Sequence, residues 1–196
     1  MSAYSSSVAN WYLMRATGVV SLVLLTVVMI LGIGTVQRWR PPNAPAFVTA
    51  GVHRSLSLLS VVFIAVHVVT AVLDPFALVS VVSVVVPFAG SGSPLWVGLG
   101  AVSLDLVAAL IVSSLLRRRL GARTWRAVHW TAYLCWPAAA AHSIGMGTDA
   151  GAAWLQSIVV VCVAGLALAV VTRVTSRRPS KRLAPPRKRV GAGATA

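Results

Sequence analysis

Residues 48–73 read VTAGVHRSLSLLSVVFIAVHVVTAVL, and this stretch decides the fold. It is long enough to cross a bilayer core as a helix, which takes roughly 20 mostly apolar residues. Its only charged side chain is Arg54, and it carries His53 and His67 fourteen residues apart. Working outward, four more stretches reach the same length, at about 11–36, 94–116, 125–146 and 151–172. The expected fold is therefore an all-α polytopic membrane bundle of five transmembrane helices. Residues 76–88, between Asp74-Pro75 and Pro87, are too short to span and are expected to be re-entrant or interfacial.

Composition points the same way. The chain has 196 residues, 58% hydrophobic and 10% charged, with mean hydropathy +0.85. A soluble domain carries about a quarter charged residues. The 17 Lys+Arg against 3 Asp+Glu give a net charge of +14, which would suit nucleic acid only on a soluble scaffold. No nucleic-acid partner is expected; the excess reads as positive-inside bias. The first apolar run, Ala16 to Val36, is uncharged over 21 residues and lacks a basic leader, so it reads as a span and not as a cleaved signal. Cys135 and Cys162 fall in apolar stretches and imply no disulfide.

Charges set the orientation. With five spans, Arg38, Arg40, Arg54, the Arg117–Arg126 cluster and the run from Arg173 to Arg189 share one side. Asp74, Asp149 and the Gly/Ser-rich residues 90–93 share the other, and Arg15 alone breaks the pattern. A sixth crossing would violate the charge rule. The expectation is an integral, multi-pass cell-membrane protein with a short outer N-terminus (1–10), a single domain over 11–172, and a basic, disordered cytoplasmic tail over 173–196 against anionic lipid.

All four histidines fall inside predicted spans. Ionisable groups at membrane depth are costly and usually functional. His53 and His67 are 14 residues apart and His129 and His142 are 13, a rise of about 20 Å on each helix. In the five-span topology those helices run parallel, so His53 shares a depth with His129, and His67 with His142. Two imidazoles facing each other from separate helices suit the axial positions of a haem iron. The separation along each helix is too wide for one zinc or copper site. At about 100° per residue the first pair lies within roughly 40° of one face, whereas the second is about 140° apart. Pro137, between the second pair, is the expected kink.

The motifs His53-x13-His67 and His129-x12-His142, in the contexts GVHRSLSLLSV and RTWRAVHWTAYLCWP, resemble the ferric reductase-like transmembrane domain. That is the membrane part shared by ferric reductases, NADPH oxidases and the haem-binding subunit of bacterial periplasmic methionine sulfoxide reductase systems. The resemblance covers about residues 11–172. It implies two b-type haems, with His53 and His129 on the inner and His67 and His142 on the outer. The full reductases carry a flavin- and nicotinamide-binding domain, and no Gly-rich dinucleotide fingerprint follows the last span here. The resemblance then implies a separate electron donor, a flavoprotein or quinol, and an outer acceptor or partner subunit.

Other residues carry two readings each. Arg15 either meets the outer haem's propionates, snorkels to head groups, or pairs with Asp105. Arg54, beside His53, either serves the inner propionates or anchors the inner face; Arg126 is read the same way. Trp130, Tyr133 and Trp136 pack on haem or on protein. Gly18, Gly32, Gly34, Gly98 and Gly100 are candidates for close approach. The leading expectation is a di-haem cytochrome passing single electrons outward. A non-catalytic haem-handling subunit is the alternative, and a His-lined metal-ion transporter is a third.

Overall fold

The computed structural model describes residues 2–37, 45, 47–90, 92–146 and 151–175. Arg38, Arg40, Asp149, Ser91 and the tail beyond Thr175, all given roles above, lie outside the described residues. Among the described residues seven helices follow in chain order: α1 (Ser2–Gln37), α2 (Val48–Leu73), α3 (Val81–Val85), α4 (Pro94–Leu115), α5 (Arg117–His129), α6 (Ala132–Met146) and α7 (Ala153–Thr175). Four of them, Ser7–Gln37 within α1, α2, α4 and α7, are long and apolar enough to cross a membrane. The residues expected as a separate outer N-terminus continue α1 as helix from Ser2.

The distribution of polarity is that of a protein built for lipid. Large aliphatics face outward, among them Leu58, Val62, Val160, Val161 and Leu168. The interior holds small polar side chains instead: Thr17, Ser21, Thr26, Ser60, Thr70 and Ser103 are all buried. Lipid gives helices no hydrophobic reason to associate, so small residues and hydrogen bonds hold the interfaces. Most of these hydroxyls are satisfied inside their own helix, as Thr26 Oγ1 is by the Leu22 carbonyl (2.8 Å) and Ser60 Oγ by that of Leu56 (2.8 Å).

α1 packs along α2, α4 along α6, and α7 against α1. Between them sits a core of Leu22, Trp136, Ala140, Val159 and Cys162. Trp136 Nε1 donates to Thr26 Oγ1 at 2.8 Å, tying α6 to α1.

Two segments depart from a plain bundle. Residues 76–88 form a turn and the five-residue α3, started by a Ser80/Ser83 capping box and packed on α4. Its exit needs Phe88 at φ 67°, and the Phe88 ring fills the space beside Gly98, where any side chain would collide with it. The second departure corrects an expectation. The stretch 125–146 is not one helix: it breaks at Trp130 and Thr131 between α5 and α6. Short three-residue hydrogen bonds close the break, Thr131 N to Val128 O at 3.0 Å and Leu134 N to Thr131 O at 2.9 Å. Thr131 Oγ1 adds a bond to Val128 O at 2.7 Å. Pro137 lies inside α6 without ending it, so the kink expected at Pro137 falls upstream. The cause is charge: Arg117, Arg118, Arg119, Arg123 and Arg126 are exposed on α5, and leaving the bundle at His129 keeps them out of it.

Candidate functional site

The helix packing brings the histidines together in two pairs. The His53 and His129 ring centres lie 6.4 Å apart at an interplanar angle of 71°, and those of His67 and His142 lie 6.2 Å apart at 77°. His53 and His67 of α2 thus meet His129 of α5 and His142 of α6 respectively. The break at Trp130–Thr131 lies between His129 and His142.

Three of the four rings are aimed by the same backbone device. His53 Nδ1–H donates to the Val28 carbonyl at 3.0 Å, His67 Nδ1–H to Met14 at 2.8 Å, and His142 Nδ1–H to Trp96 at 2.8 Å. A carbonyl only accepts, so each bond places the proton on Nδ1 and leaves the Nε2 lone pair free. Each accepting carbonyl has a glycine one helical turn on, Gly32, Gly18 and Gly100 respectively. A Cβ at Gly18 would come within 3.0 Å of the His67 ring, at Gly32 within 3.3 Å of His53, and at Gly100 within 2.7 Å of His142. Glycine therefore lets the imidazole lie against the neighbouring helix and reach its carbonyl. Of the five glycines with a close-approach reading, these three touch the histidines.

A cavity of about 600 Å³ opens at the His67–His142 pair, lined also by Gly18, Gly100 and Arg15. Its volume is in the usual range for a cofactor pocket. Arg15 also lies over the Trp11 ring at 4.3 Å. Asp74, which sequence reasoning placed only in an outer loop, lines the same cavity and is 4% exposed. Its Oδ1 accepts from Phe76 N at 2.9 Å, while Oδ2 is buried without a partner. The Asp-Pro-Phe turn was the available signal.

The chain matches no family model, no curated protein and no solved structure. What the site can hold follows from its geometry. Among the described residues no three His, Cys, Asp or Glu side chains gather around one point, so a closed zinc or copper site is not formed. Each layer offers two imidazoles, and two metal–nitrogen bonds of about 2 Å each fit between ring centres at this spacing. At the His67–His142 pair, free Nε2 atoms, hydrogen-bonded Nδ1 atoms and a roomy pocket with a basic side chain together fit a bis-histidine haem.

The supporting residues separate. Arg54 and Arg126 are exposed, and neither lines the outer cavity. Asp105 is exposed on α4 and does not line the cavity where Arg15 lies. Trp136 packs on protein between the two layers. Trp130 and Tyr133 lie under the Arg173 guanidinium of α7, which also donates to the Tyr133 hydroxyl.

Proposed function

We propose that the chain is a di-haem b-type membrane cytochrome, similar in its site to ferric reductase-like proteins, that carries single electrons across the cell membrane. The observation that supports it best is the double pairing of histidines at 6.4 and 6.2 Å. Haem, when bound, supplies one-electron redox chemistry. His53 and His129 hold the inner group, and His67 and His142 the outer one. The carbonyls of Val28, Met14 and Trp96 fix the rings and raise their basicity. Trp136, Leu22 and Val159 keep water from the space between the layers. Arg15 offers its guanidinium to propionates at the outer layer. A flavoprotein or quinol on the inner side serves as donor, and an outer acceptor or partner subunit takes the electron.

Optical spectra and haem assay of detergent-purified protein test this. Two low-spin haems per chain are expected, falling to one in His53→Ala or His67→Ala. Protein from haem-replete cells that is colourless overturns the reading. In liposomes, the holoprotein is expected to carry electrons from an inner reductant to an acceptor outside; haem without transfer would favour the haem-handling alternative.

In the proposed topology α6 is the fourth of five crossings, between α4 and α7. Its 15 residues give about 22 Å of helix, and with the 130–131 turn it covers the depth between His53 and His67. The N-terminus is then outside, and the arginines of α5 rest on cytoplasmic head groups. A reporter inserted between Arg119 and Arg123 should be cytoplasmic; finding it outside overturns the orientation.

A further inference from the structure

His129 lacks what the other three ligands have. Its Nδ1 is buried with no hydrogen-bond partner. The other three histidines sit within helices, but His129 is the last residue of α5, at the break before Trp130.

Stacking takes the place of the missing bond. The Trp125 ring lies against His129 with centres 4.9 Å apart and planes 24° from parallel. Arg117 in turn sits over the Trp125 ring at 4.2 Å. Stacking restrains tilt, but it neither fixes the tautomer nor raises the basicity of Nε2 as a carbonyl does. The segment that carries the stack also contains Gly121 at φ 74°, a kink within α5, so its anchorage is local.

We infer that His129 is a displaceable axial ligand, so that the inner layer, and not the outer, opens a binding position for a small neutral diatomic such as carbon monoxide. This rests on the haem reading above. With haem bound, the gas would take the position on the iron that His129 Nε2 gives up. No electron is gained or lost, and His129 keeps its proton. Trp125 is a positioning residue: its stacked ring holds His129 on.

The test is a carbon monoxide difference spectrum of the dithionite-reduced holoprotein, with haem counted on the same sample. One of the two haems per chain should bind the gas, and that signal should vanish in His53→Ala while the remaining haem stays inert. Trp125→Ala should raise the apparent affinity roughly tenfold, the scale of one aromatic stack. Two haems that bind equally, or not at all, overturn this inference and leave the cytochrome reading standing, as does a gas-binding haem that survives His53→Ala. Absence of haem overturns the cytochrome reading itself.

Discussion

Gly100→Ala empties the outer layer: haem per chain is expected to fall from two to one, with the inner signal unchanged. The added Cβ would lie 2.7 Å from His142 Nδ1 and 3.1 Å from its Cγ, so the whole ring must move and not only its tip. That ring is pinned by its bond to the Trp96 carbonyl at 2.8 Å. Moving it breaks the bond and takes Nε2 off line with His67. A misplaced axial ligand is costly, because partners of metal-binding imidazoles are typically worth ten- to a hundredfold in affinity. Gly51→Ala is the matched control, since nothing lies within 4 Å of a Cβ there. Haem assay and spectra of both variants decide it: an unchanged outer haem in Gly100→Ala would show that the glycine is not what seats His142.

Trp136→Ala gives the largest expected loss of stability. The indole is 8% exposed and packs with Leu22, Ala140, Val159 and Cys162. It also joins α6 to α1 through Thr26. Truncating a buried tryptophan typically costs about 3–5 kcal/mol. In lipid the loss is chiefly packing, because the separated helices remain in an apolar medium. Trp136→Phe keeps most of the volume and removes only the hydrogen bond, so it should cost about 1 kcal/mol. Denaturation of the detergent-solubilised holoprotein measures both. Equal costs for the two variants would mean that the hydrogen bond, and not the packing, holds α6 in place.

Much of this was legible in the sequence because membrane helices announce themselves by length. The boundaries of α2, Val48–Leu73, and of α4, Pro94–Leu115, follow the apolar runs closely. The histidine pairs were legible from spacing and loop charge together, since parallel helices put equal counts at equal depth. The break at Trp130–Thr131 was not. Proline is the visible breaker, yet a threonine hydroxyl and a charged neighbouring segment ended the helix instead. Nor could the partners of the imidazoles be read, because every residue has a carbonyl and only the packed neighbour decides which one is used. The glycines were visible as small residues, but Gly18, Gly32 and Gly100 gain their meaning from the rings that lie on them.

α1 serves both histidines of α2. Met14 with Gly18 seats His67, and Val28 with Gly32 seats His53, so the two seats are 14 residues apart on α1, as the two rings are on α2. The two helices therefore mesh like a rack with two teeth. Sliding one past the other by a single residue, or rotating it by one position, unseats both rings together. Neither layer can be retuned alone through the α1–α2 contact, and an insertion in α1 between Gly18 and Gly32 would throw the two seats out of step. Independent adjustment is left to α4 and α6, where the seat of His142 is made and that of His129 is not.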